Sequence, residues 1–392
     1  MDRLISEQAR PYFEKVRELA PTIRAYADRA EREAQMPREV ADAFHQSGLF
    51  RIFLPRRMGG GEMTIPDSLR LCEEVARIDG SAGWNLAICA GGPLFGHNLS
   101  LEAFEKIYGN PHGVSAGSLN PMTTRMIAVE GGWRLSGKAT YASASAQATY
   151  LMAAGIVLRD GAPQIIGGFP LLRAGFFPIE QAKILNTWST AGMRGTGSND
   201  CVFEDVFVPD EFTFDWLSAK SPWKRGPLQN IPSPLQFVGG LATVVLGTAR
   251  HALDALSEIA QAKVPVGARG TLRERPIAQI QFAQAEGLLQ AARAYFYNCN
   301  DEIWRKGVAG ESFSLQDRAH ARLAVVTAVK LAVQAVDLIA DAAGMSSAQT
   351  AFPIERCWRD VHTASQHVLL NTSRFEVVGR VLFGLDPDSP II

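Results

Sequence analysis

One long stretch of this chain has no carboxylate to take or give a proton. Between Asp215 and Asp254 there is no Asp or Glu at all. The segment from Phe352 to Asn371 places Glu355, Arg359 and Asp360 ahead of two histidines, His362 and His367. On a continuous helix a five-residue step turns roughly 140° about the axis, so the pair cannot share one metal. His367 alone can hydrogen-bond a substrate hydroxyl or steady a reactive oxygen, because imidazole titrates near working pH. Its competing role is a core histidine bonded to a backbone carbonyl. A second candidate, Ser143, lies in Tyr141-Ala142-Ser143-Ala144-Ser145, just after a predicted strand. A hydroxyl there can face developing negative charge, with Ser145 on the same strand face or both turned to solvent. A third stretch, Asn186 to Ser198, joins the flat ring of Trp188 to Arg194, Gly195, Thr196, Gly197 and Ser198. It offers a stacking surface, close backbone approach and hydroxyls around a planar ligand.

Three kinds of segment must hold these residues in place. Residues 1–112 read as helices, with Ile5, Ala9, Tyr12, Val16, Leu19 and Ile23 at helical steps. Pro37 opens a second helix that stops at Gly48, and Asp79 or Ser81 caps an apolar third. Residues 113–215 change period. Met126 to Lys138 reads as strand, Gly-Gly turn, strand, followed by strands over 150–158, 164–172 and 200–208. Residues 216–392 return to long helices, and Ala278–Cys299 and Leu315–Ala343 are apolar on more than one face. The expected class is α+β, mainly α: an N-terminal helical domain, a central β domain and a C-terminal four-helix bundle.

Bulk properties narrow the function. A net charge of -1 over 392 residues gives no basic footprint for nucleic acid. The apolar run 237–249 is too short to span a bilayer, and the start of the chain is charged rather than leader-like, so no membrane and a cytoplasmic location are expected. Five scattered cysteines favour reduced thiols over a disulfide framework or zinc site, and no metal is expected. No Gly-x-Gly-x-x-Gly follows a strand, which removes a Rossmann site for a nicotinamide.

The chain resembles the acyl-CoA dehydrogenase superfamily over nearly its whole length. The likeness rests on Pro353-x-Glu355 with Arg359-Asp360, on Gly48 to Gly60, Gly80 to Trp84 and Trp133 to Gly137, on Trp188 through Ser198, and on Val206 to Pro209. Dehydrogenases of this superfamily carry a catalytic Glu eight residues past the Asp, or on an earlier helix. Those places here hold Val368 and, nearby, Phe237. Abstraction of a C–H proton beside a thioester needs a positioned base, and both homes for it are empty.

Within the superfamily the nearer likeness is to oxygenase components of two-component flavin-dependent monooxygenases, such as 4-hydroxyphenylacetate 3-hydroxylase. The resemblance implies a diffusible reduced FMN or FAD, O2 as co-substrate through a C4a-hydroperoxyflavin, a separate flavin reductase, a phenol- or indole-like aromatic substrate and a homotetramer. It implies His367 and Ser143 as catalytic residues, and a flavin cradle of Trp188, Arg194, Gly195, Thr196, Gly197 and Ser198. Gly117 and Asn120 belong to a second flavin loop, and Arg269, ten residues before Gln279, takes the phosphates ahead of its competitors Arg273 and Arg275. His97 and Trp84 are the expected substrate contacts. The rivals are an acyl-CoA dehydrogenase or oxidase with an unrecognised base, and a flavin- or acyl-binding homologue without chemistry.

Overall fold

The computed structural model describes residues 5–216, 221–223 and 226–389. Five helices come first: α1 (Arg10–Glu33), α2 (Arg38–Ser47), α3 (Ile65–Ile78), α4 (Gly80–Gly96) and α5 (Leu101–Tyr108). Their ends obey local chemistry. Gly48 closes α2 at φ 75°, a left-handed value that a side chain resists. Thr64 caps α3 by accepting from Asp67 N, and Asp79 caps α4 by accepting from Ala82 N at 2.8 Å.

Strands follow: β1 (Ser115–Ser118), β2 (Thr124–Val129), β3 (Gly132–Ala142), β4 (Tyr150–Arg159), the two-residue pieces β5 (Ala162–Pro163), β6 (Ile165–Ile166) and β7 (Phe169–Pro170), then β8 (Leu172–Pro178), β9 (Lys183–Ile184), β10 (Asn199–Pro209) and β11 (Thr213–Asp215). The main sheet runs β11-β8-β4-β2-β3-β10-β9, with β1 and β5 added beside β4. Gly131 at φ 74° makes the expected β2–β3 turn. One expected strand is corrected. Residues 164–171 form a small, largely exposed hairpin, because Gly167 and Gly168, both at positive φ, turn the chain back before β8 begins at Leu172.

The remaining helices are α6 (Pro227–Asn230), α7 (Ser233–Ala262), α8 (Pro276–Ala309), α9 (Leu315–Ala343), α10 (Pro353–Ala364) and α11 (Arg374–Leu382). The passage out of the sheet runs through residues 217–220, which lie outside the described residues. The segment Leu315–Ser347 is long and apolar enough to cross a membrane by length and composition. Here it packs in the bundle against α7, α8, α10 and α11. Small residues bring α7 against the first helices: Gly247 lies on the backbone of Glu73 and Arg77 in α3, where an added Cβ would sit 2.3 Å from Glu73 O. One apolar core runs through α1 to α4 and the bundle, and a second fills the sheet and α5. Phe237 on α7 belongs to the edge of both.

Candidate active site

Where the helices meet the sheet, two separate segments converge on Ser143, and a third meets Trp84, one of its partners. From α4, Trp84 Nε1 donates to Ser143 Oγ at 3.0 Å. From the turn before β10, Ser198 Oγ lies 2.6 Å from Ser143 Oγ, and Thr196 Oγ1 lies 2.7 Å from Ser198 Oγ. Thr196 Oγ1 in turn donates to Met193 O at 2.8 Å. The direction of this line follows from counting hydrogens. Thr196 spends its only hydroxyl hydrogen on Met193 O, so Ser198 donates to Thr196 and Ser143 donates to Ser198. Ser143 is thereby left with a lone pair, and it can donate to a ligand only by turning away from Ser198.

The third segment carries His367, whose ring meets Trp84 edge-on at 5.6 Å between centroids. The expected single helix through both histidines is not what forms. α10 ends at Ala364, and His367 sits in the following turns, with its N bonded to Ala364 O and its O accepting from Leu370 N and Asn371 N. The break aims the two rings apart. His362 points outward to Asp337 Oδ1 at 2.9 Å, whereas His367 turns inward to Trp84.

Leu369 N donates to His367 Nδ1 at 3.2 Å. A backbone N–H can only donate, so Nδ1 accepts, and the neutral ring carries its proton on Nε2. Burial first, and the nearby Arg322 cation second, push the His367 pKa down to about 4. His367 is therefore a neutral hydrogen-bond donor at Nε2 across ordinary pH. Arg322, on α9, is 2% exposed and donates to Leu369 O at 3.0 Å.

The two places where a dehydrogenase base belongs hold no acid. Val368 is 57% exposed and faces away from the core. Phe237 packs its ring against Phe95 at 5.0 Å and over Gly91, where an added Cβ would sit 2.9 Å from the ring. Trp84, Ile88, Gly91 and Phe95 share one face of α4 at helical spacing. Ile88 alone in α4 is not buried, and Phe237 and Gly240 on the facing helix α7 are also partly exposed. The stretch of this face with Trp84, against which His367 packs, is apolar.

The loop from Trp188 to Ser198 is held by packing. An added Cβ at Gly192 would lie 2.3 Å from Arg359 O of α10, and one at Gly195 would lie 2.9 Å from Ser81 Cβ of α4. Their lack of side chains is thus spent on helix contacts. Asn85 Nδ2 reaches Gly195 O at 3.0 Å, and Met193 N donates to Asp360 Oδ1. Tyr141, Ala144 and Met193 all have positive φ, so backbone strain concentrates at the two turns around Ser143. Trp188 is partly exposed, with its Nε1 on Met193 O at 3.0 Å, and its face is available for stacking. Arg194 does not reach this space: it is tied to Glu31 O and Thr190 O.

The other expected residues are dispersed. Asn120 borders the Ser143 turn through Thr140 Oγ1 at 3.2 Å. Gly117 is demanded by the β1–β4 pairing, since a Cβ would fall 1.9 Å from Met152 O. Arg269 is exposed beyond the end of α7, about 21 Å of helix past Thr248, the residue that meets Gly80. His97 lies 13 residues after Trp84, about 20 Å along α4, and borders a different cavity of about 510 Å³ with Trp223 and Trp304. Two residues of the site escaped the sequence reading: Asn85 and Arg322. A signal existed for Arg322, a cation in register with Ala319, Val326 and Val329 on the buried stripe of α9.

Comparison with known proteins places the chain among described relatives. Family models for the N-terminal and C-terminal domains of acyl-CoA dehydrogenase match residues 3–99 and 239–372. Indole-3-acetate monooxygenase from Pseudomonas putida is 34% identical, covering 93% of this chain and 91% of its own. The oxygenase subunit HsaA of a flavin-dependent monooxygenase from Rhodococcus jostii is 28% identical, covering 94% and 97%. The crystal structure of 3-HSA hydroxylase from Rhodococcus sp. RHA1 superposes with a TM-score of 0.89 at 25% identity, over 97% of this chain and 99% of that one.

Proposed function

The chain belongs to the acyl-CoA dehydrogenase family, as an oxygenase component of the two-component flavin-dependent monooxygenases, and we propose that it oxygenates a phenol- or indole-like aromatic with His367 as the group that meets the reacting oxygen. The observation that carries this reading is the neutral Nε2–H of His367, its ring against Trp84, whose indole N–H is bonded to Ser143, with no carboxylate at either dehydrogenase position.

The residues present suit a flavin. Trp188 offers a face, the turns at Tyr141–Ser145 and Met193–Ser198 offer backbone and hydroxyls, and the apolar face of α4 excludes water from one side. When bound, reduced flavin supplies the electrons that activate dioxygen, and a separate reductase recharges it. The chain's own residues bind, orient and shield. Ser143 offers a lone pair where it stands and a proton if it rotates. His367 offers a proton at Nε2 to an oxygen, either of the substrate hydroxyl or of the activated dioxygen. It does not serve as a base there, because Nδ1 is already engaged by Leu369 N. An indole N–H, itself a donor, gains nothing from Nε2–H, so an indole substrate is held by the flat apolar face instead.

Arg269 is exposed beyond the end of α7. On this reading it takes the flavin phosphates of a second copy, in a homotetramer.

The test supplies chemically reduced FMN or FAD, O2 and a panel of indole-3-acetate, indole and phenols to the purified chain. Oxygenated product is expected with wild type. His367→Ala is expected to keep consuming O2 while yielding H2O2 in place of product. Equal product from both proteins would remove His367 from the reaction. Anaerobic bleaching of bound flavin by acyl-CoA, with no product from any aromatic, would restore the dehydrogenase reading.

A further inference from the structure

Resting on the reading of His367 as the donor to the reacting oxygen, we propose that Arg322 is a positioning residue that holds His367 in its Nδ1-accepting, Nε2–H form through the backbone of Leu369. The connection is continuous. Arg322 Nη1 donates to Leu369 O at 3.0 Å, and Leu369 N donates to His367 Nδ1 at 3.2 Å. Leu369 is thus pinned on both sides of its Cα, by a side chain from α9 and by the ring it orients.

The cost of placing Arg322 there argues for a purpose. The guanidinium is 2% exposed, has no ion pair among the described residues, and leaves its Nε without a partner. A buried cation without a counter-charge is expensive, and an apolar residue on this stripe of α9 would pack without that penalty. Among the described residues, the charges coupled to the pair are both positive. Arg322 is the charge coupled to His367, Arg374 of α11 is the one coupled to Arg322, and α4 contributes the uncharged Trp84. The cation therefore disfavours a second proton on the ring, while its hydrogen bond fixes which nitrogen holds the first. A donor whose tautomer is set by a neighbour is ready for the reacting oxygen without rearrangement.

The test is made on the full chain without flavin, so it does not depend on turnover. Imidazole 15N shifts of histidine-labelled protein, with His367 assigned by loss in His367→Ala, report tautomer and titration midpoint directly. Wild type is expected to show Nε2–H and a midpoint far below 6.5. Arg322→Met should raise the midpoint toward 6.5 and mix the tautomers. Arg322→Gln, which keeps a donor for Leu369 O but not the charge, should raise the midpoint while preserving the tautomer. Arg322→Lys should restore the low midpoint. Should the Met variant fail to fold, the Gln variant decides: a midpoint equal to wild type, or a changed tautomer, overturns the proposal. Failure of the reading beneath it looks different, since His367→Ala would then retain full product yield while the 15N shifts still respond to Arg322.

Discussion

At the scale of single residues, the site is a problem in counting hydrogens. Trp84, Ser143, Ser198 and Thr196 form a one-way line ending on Met193 O. Ser143→Ala removes the acceptor of a buried indole N–H, and leaving such a donor unmet costs about 1–3 kcal/mol, readable in urea denaturation. Ser198→Ala instead frees the Ser143 hydrogen, so its expected effect is on product yield more than on folding. The pKa of His367, pushed down to about 4, makes a further prediction. The unfolded chain takes up this proton as pH falls below 6.5 and the folded chain only near 4. His367 therefore contributes stability that is present above 6.5 and lost as pH falls through that window. The rate profile of the wild type should show no inflection near 6.5 belonging to His367. An inflection there that disappears in His367→Ala would contradict the assigned state.

At the scale of elements, the loop 188–198 is a wedge between helices. Gly192 touches the α10 backbone and Gly195 touches α1 and α4, with Asn85 bonding Gly195 O. Gly192→Ala is expected to cost about 1–3 kcal/mol, because the Cβ must displace main chain rather than a flexible side-chain tip. It should also weaken flavin binding, since Thr196 and Ser198 move with the loop. Thermal melts and a flavin titration check both effects, and an unchanged melting temperature would refute the wedge. The glycine pattern was visible in the sequence, where it suggested close approach to a flat ligand. The packing reason was not, because nothing local to residues 192–197 reports that α1, α4 and α10 arrive there.

At the scale of the whole molecule, Asp360 ties α10 to this loop through Met193 N. Burial, opposed by that hydrogen bond and aided by Asp79 and Glu31, pushes its pKa up to about 7. The raised value means stability is fully present below pH 3.8 and lost as pH rises through 7, opposite in sign to His367. Asp360→Asn should flatten the decline between pH 3.8 and about 7 in denaturation midpoints. A decline equal to wild type would show that the carboxyl is not the group titrating.

Helical and β segments follow from periodicity and local turn chemistry, since each depends on near neighbours: the apolar steps of α1, the Gly131 turn, the Gly48 helix end. The empty dehydrogenase positions, Val368 and the region of Phe237, were equally plain in the sequence, because a missing carboxylate needs no coordinates to be noticed. What only the tertiary structure decided is which side chains meet. Ser143 and Trp84 are 59 residues apart, and Arg322 and Leu369 are 47 apart. Their hydrogen bonds exist because the sheet and bundle dock, and a bond's partner and direction are fixed by distance and angle, which a linear pattern does not carry.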